Sequence, residues 1–150
     1  MHTLIILIAT GFYSGYLPKA PGTWGSLVGL LLFLLLHKLS LPVYLAVVAG
    51  LFIVGSFAAG ETEKILDNKD PAVVVIDEIV GILVALIAIP VTPLNLALGF
   101  ILFRIFDIAK PFPIRFVDQR FHGGLGIMLD DVVAGIYTLF VLQIAARIIV

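Results

Sequence analysis

At 150 residues, 61% of them hydrophobic and only 13% charged, the chain has a mean hydropathy of +1.20, far above the range of a soluble domain. The absence of cysteine excludes a disulfide framework, a thiolate metal site and a cysteine nucleophile, while His2, His37 and His122 are too scattered to form a histidine cage. A net charge of −1 without any basic run excludes nucleic acid as a partner, so the composition is that of an integral membrane protein.

The first apolar run, 4–9, lacks the basic start and small-residue cleavage pattern of a removable signal peptide, and reads as a short interfacial or half-inserted helix. Residues 10–23 are rich in glycine, proline and hydroxyls; their backbone would go unpaired in hydrocarbon, which makes them an interfacial loop. Pro21-Gly22 followed by Thr23 is a turn and N-cap signal for a helix that runs through Gly25 and Ser26 to about residue 38. After a tight connection at 39–41, residues 42–59 make the next span. The polar stretch 60–70 resembles ordinary soluble protein and is closed by Pro71.

From 72 to 91 the chain is apolar except for Asp77 and Glu78. Five apolar residues precede that pair, which places it below the headgroups and not merely at a solvated helix start. A turn at 92–93 leads into 94–109, which carries Arg104 and Asp107 in its last turns and is stopped by Pro111 and Pro113. Ile114, Val117 and Phe121 recur at helical spacing opposite Arg115 and Asp118, the pattern of an amphipathic helix on the membrane surface. Gly123, Gly124 and Gly126 read as a flexible turn before a last span at 130–150. The expected fold is all-α: one domain, 1–150, forming a polytopic membrane helical bundle with about five long helices (24–38, 42–59, 72–91, 94–109 and 130–150), a short N-terminal helix and an interfacial amphipathic helix.

Short turns force these helices to alternate in direction, which puts 10–23, 60–71 and 104–131 on one side with the start of the third span. All ten carboxylates then lie toward that side, and so do seven of the nine Lys and Arg; only Lys38 and Arg147 lie opposite. The positive-inside bias makes the charged side cytoplasmic. Charges beside spanning helices are costly, roughly 2.5 to 3.5 kcal/mol each at a helix centre, and persist where they bind or react with something. Asp77-Glu78, Asp107 and Asp130-Asp131 are brought to one level from three helix ends. Oxygen donors without cysteine and almost without histidine specify a hard cation, and Mg²⁺ suits a site completed by substrate phosphate. Five acids against Arg104 and Lys110 leave surplus negative charge, which favours a metal site over a purely structural ion-pair network. Asp77, Glu78, Asp130 and Asp131 are the candidate metal ligands. Arg104 and Lys110 suit phosphate oxygens. Asp107 is a candidate general base or nucleophile. Gly22, Thr23 and Ser26, at a helix N-terminus, are candidate substrate-binding residues, as are Arg115 and Arg120, which could instead anchor the surface helix.

Four strings, TGFYSGYLPKAPGTWGS, VVVIDEIVG, FRIFDIAKPFPIRFVDQRFHGG and GIMLDDVVAG, resemble in order and spacing the phosphatidylglycerophosphatase A family, over nearly the whole chain. The resemblance implies a Mg²⁺-dependent phosphatase of the bacterial inner membrane that converts phosphatidylglycerophosphate to phosphatidylglycerol and inorganic phosphate. The family's acidic motifs fall on Asp77-Glu78, on Asp107 with Lys110 and on Asp130-Asp131, with Asp131 counted among the catalytic residues, and its Pro-Gly-Thr loop falls on Pro21, Gly22 and Thr23. The implied partners are an anionic phospholipid substrate and the membrane, and a homo-oligomer is compatible with the sequence. Two other classes compete: a CDP-alcohol phosphotransferase, whose aspartate spacing DIAKP and LDD do not match, and a small cation channel or transporter, whose acids would be spread through the bilayer depth.

Overall fold

A computed structural model describes the backbone of residues 2–149 and the side chains of residues 2–145; Met1 and the side chain of Arg147, expected at the far end, lie outside the described residues. Among those described, the chain is all-α: α1 (His2–Ala9), a 3-10 turn (Ser14–Tyr16), α2 (Pro21–Leu36), α3 (Leu41–Leu66), α4 (Ile76–Ala85), α5 (Pro93–Ala109), α6 (Ile114–Arg120) and α7 (Gly123–Ile149). Two helices, α3 and α7, are long and apolar enough to cross a membrane. Both carry exposed large apolar side chains, including Ile53 and Phe57 on α3 and Phe140 and Ile144 on α7, which an apolar solvent would cover.

The centre of the bundle is α4, and it corrects the expected 72–91 span. Ten residues of helix rise about 15 Å, half of the roughly 30 Å hydrocarbon layer. All of α4 except Asp77 and Glu78 is buried, chiefly against α7 and α2. It cannot run on to 91 because Ile89 precedes Pro90, and Ala88 already turns left-handed at φ 55°. Its last carbonyls are satisfied inside the protein: the Tyr44 hydroxyl of α3 donates to the Leu83 carbonyl at 2.7 Å, and the Ile87 and Ile89 amides close tight turns on Val84 and Leu86. The surrounding helices bury that end, so a helix this short can stop without leaving those groups unpaired.

Other boundaries also differ from the sequence reading. α2 begins at Pro21, whose fixed φ and missing N–H suit the first helical position, so Thr23 lies inside the first turn and is not the N-cap. α3 continues through the polar stretch to Leu66, because Glu, Thr and Lys support the helix and Lys64 pairs with Glu61 at 2.6 Å; it ends where Asp67 turns left-handed. The glycines at 123, 124 and 126 open α7 and are not a flexible turn. A side chain on Gly124 would strike the Ser56 carbonyl of α3, so its absence lets the two backbones meet. In α6, Ile114 is fully buried while Phe116 and Phe121 are exposed, so the apolar face expected through Phe121 covers only the first turn.

One packing contact sets up the charged end. A Cβ on Gly135 of α7 would lie 2.5 Å from the Gly81 carbonyl of α4, and one on Gly81 would lie 3.0 Å from the Asp131 carbonyl. The two helices start at the same end of the bundle and touch through glycine. Asp77 and Asp131 each sit four residues, one helical turn, before that contact, and so face each other.

Candidate active site

The starts of α2, α4 and α7 and the ends of α3 and α5 enclose a cavity of about 460 Å³, lined among others by Gly22, Glu63, Asp77, Glu78, Arg104, Asp107, Lys110, Asp130 and Asp131. The three expected acidic groups therefore meet in one place, at one level of the bundle.

Within the cavity the charges divide into two sets. In the first, one carboxylate oxygen each from Asp77, Glu78 and Asp131 lie within 4.8 Å of one another. Asp77 Oδ1, Glu78 Oε2 and Asp131 Oδ2 are buried without a hydrogen-bond partner. Three converging carboxylates that lack donors are costly unless a cation joins them, and an all-oxygen donor set fits a hard divalent ion. In the second set the acids are already paired. Arg104 Nη1 donates to Asp107 Oδ2 at 2.5 Å and lies 3.8 Å from Glu78 Oε1. Lys110 Nζ donates to Asp130 Oδ2 at 2.5 Å and to Asp118 Oδ1 at 2.8 Å. Burial pulls the Lys110 ammonium down, but its hydrogen bonds to Asp118 and Asp130 outweigh that and raise it above the ordinary lysine range. Lys110 sits just before Pro111 with a left-handed φ of 43°, so the chain turns sharply there and presents the side chain to α6 and α7 together.

Asp130, expected among the metal ligands, thus stands apart from the group of three: one oxygen is held by Lys110, while Oδ1 is buried without a partner. Adjacent helical residues point about 100° apart, so Asp130 and Asp131 serve different neighbours. Gly22 lines the cavity, and a Cβ there would strike Glu78 Oε1 and lie 2.7 Å from Arg104 Nη1, so a larger residue would displace the ends of those two side chains. Ser26 is fully buried and donates to the Gly22 carbonyl at 2.7 Å, which turns it away from the substrate role expected of it. Thr23 does not line the cavity; its amide donates to the Ala20 carbonyl at 3.0 Å. Arg115 and Arg120 are exposed on α6 outside the cavity.

Sequence reasoning did not assign to the site five ionisable cavity residues: Glu63, Lys69, Asp70, Asp118 and His122. Glu63 Oε1 accepts the Asp70 amide at 2.8 Å. Burial raises the Asp70 carboxyl, against the pull of Lys110 and with the push of Asp118, Glu63 and Asp107. The signal that could have found Glu63 was its helical phase: on a continued α3 it falls one residue after the buried Thr62, at the charged end.

The family model of phosphatidylglycerophosphatase A matches residues 7–146. The chain belongs to the phosphatidylglycerophosphatase A family. It is 44% identical over 139 residues to the phosphatidylglycerophosphatase A of Haemophilus influenzae, covering 91% of this chain and 85% of that protein. The Escherichia coli phosphatidylglycerophosphatase A is 40% identical over 131 residues, 87% of this chain and 76% of that one. A Bacteroides thetaiotaomicron protein named as a candidate phosphatidylinositol-3-phosphatase is 38% identical over 153 residues, 97% and 96% of the two chains. No solved structure matches the chain. A phosphatidylglycerophosphatase A is a phosphatase, and the acid-lined cavity is the candidate for its active site.

Proposed function

We propose that the chain hydrolyses the terminal phosphomonoester of phosphatidylglycerophosphate to give phosphatidylglycerol and inorganic phosphate, with Mg²⁺, at the cytoplasmic face of a bacterial inner membrane that it crosses several times. The observation that carries this reading is the convergence of Asp77, Glu78 and Asp131, each with one buried oxygen that has no donor, beside Arg104 and Lys110.

Asp77, Glu78 and Asp131 would hold the ion, and a bound Mg²⁺ supplies charge to the phosphoryl oxygens as they become more negative. Gly22 lines the cavity at the start of α2, the end of the helix whose dipole favours an anion. Arg104, 3.8 Å from Glu78 Oε1, and Lys110 contribute positive charge, each kept in place by a carboxylate. Asp107 takes the proton of the attacking water; the water oxygen bonds phosphorus, the bond from phosphorus to the glycerol oxygen breaks, and that oxygen leaves as a hydroxyl after gaining a proton. Arg104 fixes Asp107 at one oxygen and orients it for that role. Asp130 orients Lys110.

The cytoplasmic placement rests on the excess of Lys and Arg at the cavity end. The relative from Bacteroides supports a second reading, the same monoester hydrolysis on an inositol headgroup. Phosphate release by purified protein in mixed micelles, with each lipid and with and without chelator, tests both. Release from phosphatidylglycerophosphate that chelator stops and Mg²⁺ restores is the expected result. Release that persists without divalent ions overturns the metal assignment, and preference for the inositol lipid overturns the substrate.

A further inference from the structure

The cavity is larger than one phosphoryl group and its metal need, and its two strongest cations are committed. Arg104 is held by Asp107 and Lys110 by Asp118 and Asp130. Among the described residues, two further basic side chains line the cavity, Lys69 and His122, and neither lies within ion-pair distance of a carboxylate. They come from distant parts of the sequence to one edge. Glu63 Oε1 accepts the amide of Asp70, the residue after Lys69, and Glu63 Oε2 lies 3.7 Å from where a Cβ on Gly123, the residue after His122, would stand. Both segments turn sharply there, with left-handed backbone at Asp67 and Asp70 in one and at Gly123 in the other. Asp70 and Glu63 are the acids at that edge; Glu63 is engaged by a backbone amide, and Asp70 feels the field of Lys110.

We propose that Lys69 and His122 bind a second anionic phosphate of the substrate, the diester that joins the headgroup to the lipid glycerol, while the monoester sits among Asp77, Glu78, Asp131, Arg104 and Lys110. This inference rests on the reading of the site as a lipid phosphomonoesterase. A phosphatidylglycerophosphate headgroup carries the two phosphates on the two ends of a three-carbon bridge, so one group can reach the acids while the other remains at the mouth. An ammonium and an imidazole, free of carboxylate partners, can donate to diester oxygens without first breaking an ion pair. Phosphatidic acid, whose single phosphate sits directly on the lipid glycerol, offers nothing to that edge. Lys69 and His122 are thereby specificity determinants: they select lipids with a phosphodiester between the scissile monoester and the acyl chains.

The test uses full-length protein in mixed micelles of constant surface charge, as wild type, Lys69→Gln, His122→Gln and the double variant. KM and kcat are measured for phosphatidylglycerophosphate, and phosphatidic acid is titrated as a competing ligand. Each single variant is expected to raise KM for the diester lipid on the order of tenfold, with kcat within about twofold and inhibition by phosphatidic acid unchanged. Both side chains are exposed, so thermal unfolding should not move. Equal weakening toward both lipids would mean general attraction to an anionic surface and would overturn the proposal, as would unchanged KM. Failure of wild type to turn over the diester lipid would instead count against the substrate reading, and the inhibition arm would still report whether the two residues discriminate.

Discussion

The cavity has two walls that spend their charge differently. On one, Arg104 is paired with Asp107, and Lys110 with Asp118 and Asp130. On the other, Asp77, Glu78 and Asp131 converge without a donor. The cations of the first wall are all paired, although three carboxylates face two cations there and Asp130 Oδ1 and Arg104 Nε have no partner, and the wall resembles the ion-pair clusters that fix helix packing. The second is incomplete, and buried surplus charge of that kind is tolerated where a ligand supplies the counter-charge. The contrast teaches that the density of charge does not locate the chemistry; the imbalance does.

Substitutions should separate the walls. The largest loss is expected on the incomplete one: Asp131→Asn or Asp77→Asn should lower phosphate release by about a thousandfold or more and remove divalent-ion dependence at ordinary concentrations, read by rate against Mg²⁺ titration. Next comes Asp107→Asn, with release down about a hundredfold or more at unchanged metal affinity, because its carboxylate would act on water and not on the ion. Lys110→Met should have a smaller effect on rate, on the order of tenfold, but should loosen α6 from α7, detected as faster amide exchange over 114–120. Ser26→Ala should change kcat/KM less than about threefold and cost about 1 kcal/mol of stability, since its hydroxyl serves the Gly22 carbonyl. A Ser26 variant that loses turnover while remaining folded would return that residue to the substrate.

The smallest effect concerns Asp70. Its folded carboxyl is raised above 3.8, first by burial, so folding favours the protonated form. Its contribution to stability is therefore fully present below 3.8 and declines as pH rises through the folded value, leaving a penalty at neutral pH. Asp70→Asn should modestly raise the unfolding temperature at pH 7 and have no such benefit at pH 3, checked by thermal melts at the two pH values.

The charged end was legible in the sequence because short turns and long apolar runs leave the helices few ways to alternate, and Asp77, Asp107 and Asp131 had to come out together. The length of α4 was not. Hydropathy reports how readily 72–91 leaves water, and a segment shielded by other helices is as apolar as one that faces lipid. Gly124 looks the same in sequence whether it loosens a turn or admits a neighbouring backbone; only Ser56 and Gly60, more than sixty residues earlier, decide between them. The division between paired and unpaired acids was also hidden, because Asp130 and Asp131 are neighbours in sequence and differ only in the side of α7 they occupy.

The most direct measurement is the stoichiometry and affinity of Mn²⁺, as a paramagnetic substitute for Mg²⁺, bound to purified protein in detergent by electron paramagnetic resonance. Wild type and Asp118→Asn, which touches only the paired wall, are expected to bind the ion alike, while Asp77→Asn and Asp131→Asn lose it. Retention of wild-type affinity by both of the latter variants, or loss in Asp118→Asn alone, would contradict the assignment of the counter-charge to Asp77, Glu78 and Asp131.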